Sequence, residues 1–377
     1  MKTKSAVKAT RAQVIAYRVA SQGLHRDTAT AGKLGVLDIG VQDSSVDGAR
    51  LAFDARLAKP LPASSIGPGK PLALTWSLRG APYVHRRADL NQLAAALWPL
   101  SEPDAAGRLN ETGPSVARAG IPALEQWAVA VEAMHEVVTK PMGKGAASTA
   151  VTRRIPRQMW RDCRGCKAMH ISDSAMRPAA LTAGLEIEPG SSPPVLLPRP
   201  RAVVPAGVDV AGVLKLIKAY LTLLGPAAPG DAAGYLDARR ADVQDIWPSD
   251  LVEVTVDGRT GWLPADRVAA LEKAQPADLV RLLGPFDPYV QARDRELIVP
   301  DKALHKTLWP VLGRPGILLV GGEVLGIWRP KAAGVKLTVA VEAFAPLPAS
   351  AWTQIEAEAE RVGAVRGARD IRLTRAG

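Results

Sequence analysis

The sequence predicts an α+β protein in which three helical units precede a β-rich C-terminal segment. Apolar residues recur three or four apart near residues 7–19, 121–138 and 210–221, the spacing of one buried helix face. Alternating runs flank turn signals at Arg79-Gly80-Ala81-Pro82 and Asp257-Gly258, which reads as hairpins. From Leu297 onward, short β-prone runs are punctuated by glycines. A chain of 377 residues with 47% apolar and 23% charged side chains can build two to four cores, which excludes disordered, collagen-like and coiled-coil classes.

Along the chain, Ser5 to Gln22 suits a first helix that ends at Gly23, with Val7, Val14, Ile15 and Val19 on its apolar face. Asp47 to Leu57 reads as a second helix, with Ser44 and Asp47 forming a capping box at its start. Leu72 to Leu78 alternates as a strand, and Tyr83 to His85 returns beside it. Helices followed by such a hairpin make a winged-helix unit over residues 1–115. A loop around Glu102 to Ser115 leads to a second unit, residues 116–205. Its helix face runs through Ile121, Leu124, Trp127, Ala128, Val131, Met134 and Val138, and Gly143 to Gly145 end it. Ala146 to Arg154 and Pro156 to Arg161 then read as two short helices in a helix-turn-helix. After the proline-rich Pro193 to Pro205, a third unit (206–275) opens with Val210, Val213, Leu214, Ile217, Tyr220 and Leu221 on one face. It closes with the Leu251 to Val256 hairpin, whose Asp257-Gly258 pair suits a type I′ turn. Residues 276–377 hold β-prone runs at Leu297 to Val299, Ile317 to Val320, Val324 to Trp328 and Val335 to Phe344, and they predict a small barrel or sheet.

Lys and Arg number 48 against 37 Asp and Glu, a net charge of +11, so the protein's field attracts polyanions, with nucleic acid first among them. The N-terminal segment carries Lys4, Lys8 and Arg11. Arg153, Arg154, Arg157, Arg161, Arg164 and Lys167 form the densest interior basic block, with Asp162 its one acid. Its positions mark the expected phosphate contacts. No apolar run spans a bilayer, since Lys215 and Lys218 interrupt the best stretch, and no signal-peptide core follows the basic N-terminus. The expectation is a cytoplasmic, nucleoid-associated monomer without cofactor.

Several strings resemble one family over almost the whole chain, the AlkZ-like (YcaQ-like) DNA glycosylases. They are Gly40-Val41-Gln42-Asp43-Ser44, Ala49-Arg50-Leu51-Ala52-Phe53 with Arg56-Leu57, Leu78-Arg79-Gly80, Phe286-Asp287-Pro288-Tyr289 and Gly326-Ile327-Trp328-Arg329. The resemblance implies three tandem winged helices and a C-terminal β-barrel around a cleft that takes damaged duplex DNA and excises cationic alkylated bases; some members also unhook interstrand crosslinks. It implies catalytic positions at Gln42, Asp43 and Ser44, with Arg79 among the DNA-binding cations. The family's motif is Gln, a variable residue, then Gln, whereas this chain has Ser44 at the second glutamine. An alkylated purine is already a cationic leaving group, so the chemistry consists mainly of placing water and stabilising an oxocarbenium-like sugar. Two carboxamides serve that purpose, and Ser44 is too short to reach the same point. In an extended segment Asp43 faces the opposite side. The competing expectation is a DNA-binding scaffold or regulator that lost the chemistry.

Asp287, Tyr289, Asp294 and Arg295 form a polar cluster that either lines the DNA cleft or makes an internal ion-pair network. Cys163, Cys166 and His170, with Asp173, have C-x-x-C-x-x-x-H spacing, which can hold zinc if a fourth ligand closes the tetrahedron, although free or structural thiols are the commoner use. The other histidines are scattered without hydrolase spacing, Gly143-Lys144-Gly145 does not fit a P-loop, and the tryptophans fall mostly at core positions.

Overall fold

Why the first helix starts late is visible at Thr10. Its hydroxyl accepts the N–H of Gln13 and the Gln13 side chain accepts the N–H of Thr10, a reciprocal cap that begins the helix at Arg11–Ser21. The preceding Val7–Ala9 is a strand, parallel to Leu251–Val256, and not the helical turn expected from the spacing. The computed structural model describes residues 7–109 and 120–376; Lys4 and residues 110–115 of the expected loop lie outside them, and the first part of that loop is instead the helix Glu102–Leu109. The chain folds as two units that interleave in sequence, one built of residues up to 63 with 218–231 and from 249 onward, the other of 64–217 and 232–248.

In the first unit, Leu251–Val256 and Arg259–Pro264 form the expected hairpin, with Asp257 and Gly258 both at positive φ. Val14 and Tyr17 pack against Val254, Val256, Leu263 and Leu271. The C-terminal part of this unit is a five-stranded sheet. Its order is Val280–Leu283, Gly316–Val320, Glu323–Ala333, Lys336–Ala343 and Asp370–Ala376, antiparallel except for the last pair. The expected barrel is therefore corrected to an open sheet, because the first and last strands do not pair. Closure is unnecessary here, since the helix Ala349–Val365 covers one face and buries Ala351, Ile355, Ala359, Val362 and Val365 against Val280, Leu282, Leu337, Val339 and Val341. That helix also makes the crossover which a parallel strand pair requires. Its apolar residues are spaced 4-4-3-3 along the sequence, the period of one buried helix face. Leu297 to Val299 is not a strand, since Arg295–Ile298 forms one helical turn.

The second unit contains the hairpin of Leu72–Trp76 and Pro82–Arg86, turned by Arg79 and Gly80 at positive φ. A substituent on Gly80 would also meet Arg177 Cβ at 3.1 Å. Helices Leu90–Ala96, Glu102–Leu109, Ala123–Val137, Lys144–Thr152 and Asp173–Thr182 surround buried Trp127, Met134 and Met176. Trp76, Trp98, Trp127 and Trp328 are all buried. The second helix expected at Pro156 to Arg161 is absent, and a single turn at Arg157–Met159 leads into a hairpin of Arg161–Cys163 and Ala168–His170. Arg157 and Gln158 are exposed, so a helix there would have no apolar face to bury, and backbone pairing wins. The helix at Val210–Leu224 forms as its periodicity predicts.

Candidate functional site

The catalytic-motif segment is a short strand, Val41–Gln42, followed by a tight approach to the helix Gly48–Asp54. A Cβ on Gly48 would lie 2.7 Å from Ser45 Oγ and 3.5 Å from Asp43 Oδ1, so a larger residue there would push the Ser45 hydroxyl aside. The expected capping box is absent, because Asp47 adopts a left-handed conformation and makes no side-chain cap. Asp43 takes that role, its Oδ1 accepting the Ala49 N–H at 2.9 Å. Burial raises the Asp43 pKa above the usual carboxylate range, and the Ala49 N–H works against that shift.

Gln42 is 8% exposed and held at both ends of its amide. Its Nε2 donates to Ser44 Oγ at 2.7 Å, and its Oε1 accepts from Gln291 Nε2 at 2.6 Å. Gln291 also donates to the Phe286 carbonyl at 3.1 Å. A second carboxamide thus stands beside Gln42, supplied from 249 residues away and not by the motif itself. Sequence reading missed it; the available signal was its place two residues beyond the Phe286 to Tyr289 string.

Asp287 explains how that string is fixed. It forms a buried bidentate pair with Arg56 at 2.7 and 2.8 Å, and its Oδ1 caps the Tyr289 N–H at the start of the turn Pro288–Gln291. Arg56 also donates to the backbone carbonyls of Gln22 and Ala52. Two strings that carry the family resemblance are therefore joined by one ion pair, and that pair helps set the position of Gln291 against Gln42.

Of the residues expected to line a cleft, Asp287 and Tyr289 are in the core. Asp287 is 2% exposed and Tyr289 fully buried, with its hydroxyl donating to the Gly322 carbonyl at 2.6 Å. The internal ion-pair alternative describes them, with Arg56 as the partner of Asp287 and Arg18 as that of Asp294. Arg295 is exposed, stacks over Trp309 and lines an open groove of about 620 Å³ with Asp231, Arg259 and Glu296.

The expected DNA-binding cations also divide. Arg11 is tied to Glu323 and to the carbonyls of Leu297 and Ile298, and Arg79 donates to the Tyr235 carbonyl and the Tyr83 hydroxyl. Both are structural ties that leave little of the guanidinium for phosphate. Lys8, Arg153, Arg154 and Arg157 are exposed, Arg161 is half-buried, and Arg154 pairs with Glu136 at the surface. Further along, Arg361 is not a free basic residue but clamps Asp54.

A short strand presenting one buried glutamine, with a second carboxamide hydrogen-bonded to it, is a site suited to positioning water, the class of chemistry used to hydrolyse an already activated bond. The family model described as DNA glycosylase AlkZ-like matches residues 40–365, and the chain belongs to the AlkZ-like DNA glycosylase family. The solved structure of the DNA glycosylase AlkZ of Streptomyces sahachiroi is similar over 98% of this chain and 100% of that one, with a TM-score of 0.74 at 19% identity, a likeness of fold. No curated protein matches the chain. Among the described residues, no helix is long and apolar enough to cross a membrane.

Proposed function

We propose that this protein is a DNA-repair glycosylase that hydrolyses the N-glycosidic bond of cationic alkylated bases in duplex DNA, with Gln42 at the centre of its site. The observation that carries the reading is the amide pair: Gln291 Nε2 donates to the Gln42 carboxamide at 2.6 Å, so a second carboxamide stands beside Gln42 although Ser44 is not one. A cationic base leaves without a strong acid, so the remaining work is to hold water and sugar in line. Gln42 and Gln291 supply donors and acceptors for that purpose, and Ser44, exposed beside them, supplies a hydroxyl. Asp43 has one oxygen committed to the helix start, so its part is to hold the segment.

Winged-helix packing within the 1–115, 116–205 and 206–275 segments, a C-terminal module over 276–377, a monomeric state and an intracellular site of action complete the reading. Phosphate contacts would fall on Lys8, Arg153, Arg154, Arg157 and Arg161. The second reading, a scaffold that binds DNA without excision, is favoured by one observation: Ser44 Oγ takes one of the two Gln42 amide N–H groups at 2.7 Å.

Abasic-site yield on duplex DNA carrying 7-methylguanine separates the two. Excision that falls at least ~10-fold in both Gln42→Ala and Gln291→Ala, with duplex affinity retained, supports the enzyme. Tight duplex binding with no abasic sites supports the scaffold, and excision unaffected by Gln42→Ala places the chemistry elsewhere.

A further inference from the structure

We propose that Cys163, Cys166 and His170 bind a single zinc ion that clips the hairpin Arg161–Cys163/Ala168–His170 into shape. One ligand atom from each residue, the two sulfurs and a ring nitrogen, lies within 4.8 Å of the others. Tetrahedral zinc, at about 2.3 Å from sulfur and 2.0–2.1 Å from nitrogen, sets such atoms roughly 3.5–3.8 Å apart. The remaining contraction is about 1 Å, within reach of a rotation of the Cys166 side chain.

Two independent features point to a metal. First, His170 Nδ1 lies 2.6 Å from the Ile171 carbonyl and donates to it, which leaves Nε2 as the lone-pair nitrogen. That Nε2 is shielded from solvent and has no hydrogen-bond partner among the described residues. A buried acceptor without a donor is costly, and a metal ion supplies what is missing. Second, the hairpin has no core of its own. Its strands are three residues each, and none of residues 161–170 is buried. A short two-stranded hairpin without a core is marginal in water, and metal ligation supplies folding energy directly.

Asp173 is not the fourth ligand, because Lys144 at 2.7 Å and Arg177 at 3.0 Å already hold its carboxylate. Cys166 is exposed, so the fourth position faces solvent and takes water. On binding, each thiol loses its proton to solvent as its sulfur bonds the zinc, and no electron is transferred. Two thiolates neutralise the dication, so the hairpin keeps the positive charge of Arg161, Arg164 and Lys167.

The test is titration of the reduced full chain with zinc chloride against a chromophoric chelator, with cobalt(II) as a spectroscopic probe. One equivalent is expected, with thiolate-to-cobalt charge-transfer absorption and tetrahedral visible bands. Cys166→Ser alters an exposed side chain that the fold does not bury, and both it and His170→Ala should weaken zinc binding by about 100-fold or more. Metal loading should also protect the hairpin's amides from hydrogen exchange. Failure of the reduced wild type to bind zinc, or binding that survives Cys166→Ser and His170→Ala, overturns the proposal.

Discussion

Replacing Asp287 with Ala removes one half of an ion pair whose side chains are both fully buried. The Arg56 guanidinium would keep the Gln22 and Ala52 carbonyls and the Gln22 amide oxygen, all neutral acceptors, and lose its only charged partner among the described residues. An uncompensated buried charge of this kind destabilises by about 3–5 kcal/mol, a large share of the roughly 5–15 kcal/mol that holds a folded protein together. The same change removes the Tyr289 N–H cap and loosens the turn that carries Gln291. Asp287→Asn keeps an acceptor at that place and should fall between Ala and wild type. The double variant Arg56→Met/Asp287→Leu leaves no charge to compensate and should recover much of the loss. Urea unfolding midpoints give the stability ranking, and abasic-site yield below each midpoint gives the effect on the site. If Asp287→Ala costs less than about 1 kcal/mol, or the double variant is less stable than Asp287→Ala, the pair is not what ties the two segments together.

Ser44→Gln restores the family's motif at an exposed position with no capping role, so stability should move by less than about 0.5 kcal/mol. Excision of 7-methylguanine should rise by about 10-fold, and an unchanged yield would show that Gln291 already fills the second place. Replacing Arg153, Arg154 and Arg157 with Ala should weaken duplex binding uniformly across sequences and reduce the salt slope by about 2 to 3; an unaltered slope would move the phosphate contacts elsewhere. Burial, with Arg86 adding to it, pushes the His85 pKa down to about 3, so the folded chain keeps it neutral, beside Ser77 Oγ at 2.9 Å. The unfolded chain takes up the proton near pH 6.5, so the His85 contribution is full above that pH and fades as pH falls toward 3, by about 2 kcal/mol at pH 5. His85→Gln should flatten urea midpoints between pH 6.5 and 5, and an equally steep variant would refute the assignment.

The sequence by itself determined what depends on period and backbone angle. The helix face from Trp127 to Val138, the Asp257-Gly258 turn and the hairpin around Arg79-Gly80 are all present where their spacing and turn chemistry require. It also marked Gln42 as a candidate, because a motif is a local property of the chain. Tertiary structure decided what depends on where distant segments meet. Gln291 reaches Gln42, and Arg56 finds Asp287 across 231 residues. Neither pairing leaves a trace in local hydrophobicity, since a polar side chain reads the same whether its partner is water or a buried carboxylate. Arg11, Arg79 and Arg361 counted equally with Arg153 toward net charge, yet carbonyls and carboxylates hold the first three. The β-prone runs after residue 316 specified strands but not closure. An amphipathic strand needs only to bury one face, and whether a helix or another strand covers it is settled by the packing of the whole unit.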